Sequence, residues 1–463
     1  MVPVLTDAVM LSRLQFALTT SFHIIWAVLS IGLSLFLVVV EALWLKTGDG
    51  HYYRHARFWA RLLVLNVAIG VVSGVPLEFQ FGTNWSRFAA ATGGFFGHLL
   101  GFEAAMAFML EAAFLGLMLF GWRRVPAGVH FFATCMVALG ASLSAFWIMT
   151  ANAWMQTPAG GAMTGGRFLV THYLAAVMNP DMFWAVTHMW VAAVETTLFV
   201  VGGVSAWYLL KGRHVEFFLK SLKVALLAAV LVTPLQIYLG DHSGRAVARY
   251  QPAKVAAIES HWRTNPPGTG APWKVLAWPN FARQDNDWTF LEIPHGLSLL
   301  LTHSLTGRVQ GLRDFPREDQ PPVALPFYAF RVMFSIGFAL FFLMLWTLWA
   351  WRRGGLSPPA LPRQTWLLRA WVAAVPLSYL AVETGWIVRE VGRQPWIIYG
   401  LMRTREAASP LPAAAVAASL VTYLVVYSLL FIAFVIFARR LLLKGPDLDE
   451  VPPARGRPSP EGR

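Results

Sequence analysis

The sequence predicts an all-α, polytopic membrane protein with about nine transmembrane helices. Its 463 residues are 57% hydrophobic and only 13% charged, whereas soluble domains carry about 25% charged residues. Apolar segments near or above the ~20 residues that cross the hydrocarbon recur along the chain. These segments are 15–41, 58–81, 95–121, 128–150, 183–210, 219–240, 327–351, 366–388 and 413–438.

Basic residues follow every second apolar segment, which predicts the orientation of the chain. By the positive-inside rule these loops are cytoplasmic, so the N-terminus lies outside and the C-terminus inside. The net charge of +13 is attributed to this topology, and no nucleic-acid partner is expected. Four arginines fall on the outer side and do not follow the rule: Arg389, Arg393, Arg403 and Arg405.

The chain is expected to have four parts. Residues 1–240 hold the first six helices, 241–326 form a long polar loop on the outer side, 327–445 hold the last three helices, and 446–463 form a disordered tail. Loops of this length in compact proteins are usually functional. The stretch 254–262 reads as a helix carrying Lys254 and Glu259, and we expect a substrate to meet the membrane domain there.

Four side chains with polar or soft donor atoms lie within the predicted spans, where ionisable groups are costly and mark functional sites. They are His23, His188, Met333 and Glu383, and the predicted topology places all of them in or near the outer half of the bilayer. For His188 alone, a hydrogen bond between helices is the simpler interpretation. Met333 alone is ordinary core filler. Together, an imidazole and a thioether form a known axial pair for a low-spin haem.

The other candidates keep two interpretations each. Arg331 could neutralise a haem propionate or simply extend its charge to the interface. His23 and Glu383 would suit high-spin haems with a free axial position, while a protonated, helix-bridging acid is an equal alternative for Glu383. Glu103 and Glu111 share a broad helix face and suggest a proton relay. They could also be buried acids that bond neighbouring helices.

Several strings in order along the chain resemble subunit I of the cytochrome bd quinol oxidases. The matching strings are LSRLQF (11–16), EFQFGTNW (78–85), SAWY (205–208), KVAAIE (254–259), RVM (331–333), ETGW (383–386) and GRQPW (392–396). The resemblance implies a nine-helix subunit of a bacterial inner-membrane oxidase with three haems. It also implies a second membrane subunit, with small single-helix accessory subunits as further partners.

The resemblance implies roles for individual residues. His188 and Met333 match the axial ligands of a low-spin haem b. His23 and Glu383 match the ligands of two high-spin haems, a haem b and a haem d, without showing which residue holds which. Lys254 and Glu259 match residues of quinol oxidation. Glu103, Glu111 and Ser144 match a route that brings cytoplasmic protons to the site of O2 reduction.

The loop after Thr302 is short, which resembles the short-loop, cyanide-insensitive branch of this family. In that branch a second high-spin haem b could replace haem d. The expected activity is oxidation of quinol at the outer face and reduction of O2 to water, with proton motive force generated without pumping. Two alternatives stay open: a haem b electron carrier that reacts with quinone but not O2, and a secondary transporter. No repeat halves of the kind typical of transporters are visible.

Overall fold

Long α-helices dominate the computed structural model, which describes residues 7–453. The α-helices, in chain order, are α1 Ala8–Thr47, α2 Gly50–Thr83, α3 Ser86–Thr92, α4 Phe96–Phe102, α5 Met109–Phe120, α6 Ala127–Gln156, α7 Tyr173–Val177, α8 Met182–Leu210, α9 Val215–Tyr250, α10 Pro252–Ile258, α11 Gly296–Thr302, α12 Ala324–Arg352, α13 Thr365–Val391, α14 Thr404–Ala407 and α15 Ala413–Lys444. A π-helical turn, Glu103–Phe108, joins α4 to α5 into one continuous rod.

Eight helices in the described part of the chain are long and apolar enough to cross a membrane, which confirms the predicted class. They cover eight of the nine predicted segments. The remaining segment, 219–240, lies in α9, a 36-residue helix that packs against α8 and α12. Its crossing of the bilayer stays a prediction. Helix α9 continues to Tyr250, so the polar loop begins later than the sequence predicts.

Glycines allow the central helices to approach closely. A Cβ on Gly202 would lie 2.2 Å from the Trp371 ring, and one on Gly203 would lie 2.2 Å from Val375. A Cβ on Gly32 would meet Thr197 Oγ1. In a membrane there is no hydrophobic driving force between helices, so their association depends on van der Waals contact, and small residues allow the close approach that this contact needs. Helices α1, α8 and α13 are thereby held together, with α9 and α12 closing the same bundle.

The predicted cytoplasmic loops meet at one end of the bundle. The tail contacts the start of α2, because Glu450 pairs with Arg57 at 2.8 Å and accepts a hydrogen bond from Tyr53. Lys220 at the start of α9 pairs with Asp49. These contacts agree with the predicted alternation of loops, while the sidedness stays a prediction. The predicted disordered tail spans 446–463; residues 446–453 are described and include Glu450 with its contacts to α2, while 454–463 lie outside the described residues.

The polar loop, residues 251–323, lies at the opposite end of the helix bundle, and we call it the lid. Antiparallel strands β3 (Trp273–Asn280) and β4 (Asp285–Ile293) follow α10, and short helical turns lead on to α12. Two smaller antiparallel pairs precede and follow the lid in sequence: β1 Gly161–Thr164 with β2 Arg167–Val170, and β5 Trp396–Ile398 with β6 Met402–Arg403. Ala253, Ala256, Trp262 and Leu312 form the core of the lid.

Candidate functional site

His188 and Met333 lie on two helices of the same bundle, and each has a glycine beside it. A Cβ on Gly240 of α9 would lie 3.4 Å from His188 Cε1, and one on Gly385 of α13 would lie 3.1 Å from Met333 Sδ. Helix α13 packs against both α8, which carries His188, and α12, which carries Met333. The buried Nδ1 of His188 has no hydrogen-bond partner among the described residues. A side chain of this kind fits a ligand better than a satisfied core histidine.

His23 on α1 is oriented by α2. Its Nδ1 lies 3.1 Å from Ser73 Oγ, which itself donates to the Gly70 carbonyl at 3.0 Å. Because the serine hydrogen is already used, His23 Nδ1–H is the donor, and Nε2 keeps its lone pair. Gly74 of α2 also lies against the His23 ring, since a Cβ at this position would lie 2.9 Å from His23 Cε1. Metal-bound histidines typically have their second nitrogen held in this way.

Glu383 on α13 faces α1 in the same interior region. Its Oε1 is buried without a hydrogen-bond partner in the described chain. Ser21, two residues before His23, lies beside the carboxyl group. The structure therefore places Glu383 beside α1, the helix that carries His23.

The predicted proton-path residues meet between α6 and the π-helical turn. Ser144 Oγ on α6 donates a hydrogen bond of 2.5 Å to Glu103 Oε1. Glu111 packs against α6, where a Cβ on Gly140 would lie 3.0 Å from Glu111 Cβ. Glu78 on α2 lies beside Glu103, close enough for a hydrogen bond between the two carboxyls. Sequence analysis did not select Glu78, although it is an acid in the string EFQFGTNW within a predicted span.

Lys254 lies in α10, with only 3% of its surface exposed. Its Nζ donates to Gln156 Oε1 at 3.1 Å and to the Arg389 carbonyl at 2.8 Å. Burial, reinforced by the nearby Arg389 charge, lowers the pKa of Lys254 from 10.5 to about 7. The amine can therefore exchange a proton near neutral pH.

A small cleft opens beside Lys254 at the lid end of the bundle. Its walls come from the ends of α6 and α9 and the region preceding α8, and the lining residues are Gln156, Thr157, Asp181, Ala246, Val247, Tyr250, Gln251, Lys254 and Arg389. Amides, a carboxylate and two cationic side chains converge on this cleft, whose volume of about 200 Å³ is smaller than the roughly 300–1,000 Å³ of typical small-molecule pockets. The cleft therefore suits the polar end of a ligand rather than a whole ligand.

The four arginines that are predicted to lie on the outer side form ion pairs. Arg389 binds Asp181 at 2.7 Å and Asn152 at 2.6 Å, and Arg393 binds Glu390 at 2.5 Å. Arg403 pairs with Asp319 and Arg405 pairs with Asp7. Only the Arg403–Asp319 pair reaches the lid, whereas the other three join residues at or near the ends of the membrane helices. These four arginines therefore have structural partners.

Glu259 belongs to a different network from Lys254. It accepts a hydrogen bond of 2.7 Å from Arg331, and both side chains are buried, with 6% and 7% exposed surface. Burial raises the pKa of Glu259 despite the opposing charge of Arg331. Arg331 also donates to the carbonyls of Ile258, Lys274 and Val275. Four of its five N–H groups are thus used, and its propionate role stays a prediction.

The fold and these groups define a class: a helical, multi-pass membrane protein with candidate metal ligands near the lid, a polar cleft beneath it and a chain of intramembrane acids. A profile of the family described as "Cytochrome bd terminal oxidase subunit I" matches residues 11–446. The chain belongs to this family, whose curated members among the relatives are named as quinol oxidases.

Individual relatives cover almost the whole chain. Cytochrome bd ubiquinol oxidase subunit 1 of Bacillus subtilis is 35% identical over 95% of this chain and 94% of its own length. Cytochrome bd-II ubiquinol oxidase subunit 1 of Escherichia coli is 33% identical, with 95% and 97% covered. The bd oxidase structure from Geobacillus thermodenitrificans is similar with a TM-score of 0.87 at 33% identity, covering 95% of this chain and 99% of that one.

Proposed function

We propose that this chain is the haem-carrying subunit of a quinol:oxygen oxidoreductase, which oxidises quinol at the lid and reduces O2 to water. The family membership supports this proposal, and the single structural observation that carries it is the buried Lys254 at the polar cleft. A cationic amine with a pKa of about 7, next to a cleft at the membrane surface, suits a substrate hydroxyl that must lose its proton.

The interior residues fit haem groups. His188 and Met333 would hold a low-spin haem b, while His23 and Glu383 would hold two high-spin haems, a haem b and either a haem d or a second haem b. The unpartnered His188 Nδ1 and Glu383 Oε1, with the glycines beside His23, His188 and Met333, support this assignment. When bound, such groups pass electrons and, at an open axial position, react with O2.

We assign substrate binding to Lys254 at the cleft and proton acceptance to Glu259, which lies at the C-terminal end of the same helix α10 and pairs with Arg331. Lys254 would hydrogen-bond the quinol oxygen and stabilise negative charge as the hydroxyl proton leaves. Glu259 has a raised pKa and is therefore a stronger base than an exposed carboxylate. Arg331 keeps it oriented. Protons released here would leave at the lid side.

On the other side of the bundle, Glu103, Glu111 and Ser144 would carry protons inward from the cytoplasm. The Ser144–Glu103 hydrogen bond links α6 to the π-helical turn, and Glu78 extends the chain of acids toward α2. Release at one face and uptake from the other would generate proton motive force without pumping. This proposal depends on the predicted orientation of the helices.

The assembly would include a second membrane subunit, since the relatives are named as subunit 1. The outer faces of α15 and of the rod Phe96–Phe120 are largely exposed and apolar, which suits lipid and protein neighbours in a bacterial inner membrane. The short lid would place the chain in the short-loop branch.

Absorption spectroscopy of the purified complex tests the proposed function. We expect haem bands in the reduced-minus-oxidised spectrum and carbon monoxide binding to the reduced protein. A complex without haem bands would favour a secondary transporter. Low-spin bands without carbon monoxide binding would favour a quinone-reactive electron carrier. Pigment extraction followed by haem chromatography would decide between haem d and a second haem b.

A further inference from the structure

Glu195 lies in the middle of α8 and has no role in the site described above. Only 7% of its surface is exposed, and its Oε1 has no hydrogen-bond partner in the described residues. An acid within a membrane span is costly and calls for a functional explanation.

The polar atoms around Glu195 form a row along the α8–α9 interface. Thr233 of α9 lies beside the Glu195 carboxyl, just as Gly240 of α9 lies beside His188. The two pairs are separated by seven residues on each antiparallel helix, or about 10 Å along the axis. Gln236 stands one turn from both Thr233 and Gly240, on the same face of α9.

Glu195, Thr233 and Gln236 each carry a buried atom without a hydrogen-bond partner within the described residues. The atoms are Gln236 Oε1, Thr233 Oγ1 and Glu195 Oε1. Buried polar atoms that the protein does not satisfy are typically satisfied by ordered water, which needs two to four polar partners. One turn separates successive members of the row, which suits bridging by single water molecules.

We propose that Glu195, with Thr233 and Gln236, forms a buried site that binds water and one proton and responds to electron arrival at the His188 and Met333 site. The inference rests on the proposed function. When one electron from quinol arrives, the Glu195 carboxylate takes up one proton, supplied from bulk water through the row. The positive charge of the proton bound at Glu195 then compensates the negative charge of the electron that reaches the His188 and Met333 site.

The electrostatic reason is the low dielectric of the interior, where charges about 10 Å apart still interact strongly. A positive oxidised site favours the ionised carboxylate, and its neutralisation favours the protonated acid. The helices that pack against this region carry few titratable side chains away from their ends. They are His23 and Glu41 on α1, His130 and Cys135 on α6, Tyr238 on α9, and Tyr379 and Glu383 on α13, and Glu41 is paired with His130. No cation in the described chain pairs with Glu195.

Infrared difference spectroscopy of the purified complex tests the proposal. We expect the reduced-minus-oxidised spectrum to contain a carboxylic C=O feature that shifts in D2O and is lost in Glu195→Gln, with the low-spin absorption spectrum unchanged. Glu216→Gln, an exposed acid in the first turn of α9, should retain the feature. Identical difference spectra for the original chain and Glu195→Gln would overturn the proposal.

If the Glu195→Gln complex does not assemble, a second variant tests the same site. Thr233→Val should shift the frequency of the same C=O feature, because it removes the hydroxyl beside the carboxyl; an unshifted spectrum would contradict the site. A complex that lacks low-spin bands altogether would instead refute the proposed function, so the two failures are distinguishable.

Discussion

Ser144 Oγ lies 2.5 Å from Glu103 Oε1 and donates a hydrogen bond to it. The contact joins α6 to the π-helical turn Glu103–Phe108, and irregularities of this kind frequently mark functional sites. It also fixes which way the carboxyl faces. The hydroxyl can both donate to and accept from a proton-carrying acid, so Ser144 is suited to pass protons as well as to position Glu103.

Ser144→Ala should therefore slow proton delivery. A hydrogen bond typically contributes about 0.5–1.5 kcal/mol, and its loss should reduce turnover severalfold, up to about tenfold, at saturating quinol and O2. The low-spin spectrum should not change. Stopped-flow measurement of proton uptake and O2 consumption checks this. Ser34→Ala is the matched control, because Ser34 is buried and bonds only its own helix at Ile31; equal effects of both variants would remove Ser144 from the path.

The Arg331–Glu259 pair should be essential for stability of the lid. Arg331→Met would leave a buried carboxylate without its partner, which typically costs about 3–5 kcal/mol. We expect a clear fall in the Tm of the purified complex. The double variant Arg331→Met/Glu259→Gln should recover part of that loss, since no unpaired charge is left. A double variant no more stable than Arg331→Met would show that Arg331 acts through its backbone hydrogen bonds.

Part of the fold and of the candidate site could be predicted from the sequence. The length of the apolar segments predicted the membrane spans, and the position of His23 and Glu383 within those spans identified them as candidate ligands. The pairing of Arg389 with Asp181 joins positions far apart in sequence, and spacing alone does not predict it. Lys254 and Glu259 were expected to act as a pair, yet they contact separate networks because α10 ends at Ile258 and directs Glu259 toward Arg331.

Lys254 should make stability depend on pH. The folded protein holds its pKa at about 7, below the unfolded value of 10.5. Between these values the unfolded chain binds more protons, so the free energy of unfolding rises with pH, by at most about 1.4 kcal/mol per pH unit. Thermal unfolding across this range checks the slope. Lys254→Met should flatten it, whereas Lys46→Met, at an exposed position, should not; an unchanged slope in Lys254→Met would contradict the assignment.

Lys254→Met should also weaken quinol binding. Losing the amine removes a hydrogen bond to the substrate oxygen, so we expect KM for quinol to rise about tenfold, with normal haem content. Steady-state kinetics over a range of quinol concentrations measures the change. A fall in kcat at unchanged KM would place Lys254 in a later step.

Met333→Leu should abolish the low-spin spectrum and leave the fold intact. The two side chains have similar volumes, and swaps of this kind usually cost less than about 1.5 kcal/mol, but leucine offers no sulfur to a metal. Absorption spectra with Tm as the folding readout check this. Met344→Leu, at a buried position later in α12, is the control and should keep the spectrum. Retention of the low-spin bands in Met333→Leu would show that another side chain is the ligand.

Gly74→Ala tests the surroundings of His23 without touching a candidate ligand. The new Cβ would lie 2.9 Å from His23 Cε1, closer than real contacts allow, so the imidazole must move away from its Ser73 hydrogen bond. We expect altered high-spin bands and weaker carbon monoxide binding, with the low-spin bands retained because His188 and Met333 lie on other helices. Gly82→Ala on the same helix meets nothing within 4 Å and should be silent. If Gly74→Ala were equally silent in the high-spin bands while stability fell, His23 would be a packing residue of the α1–α2 contact.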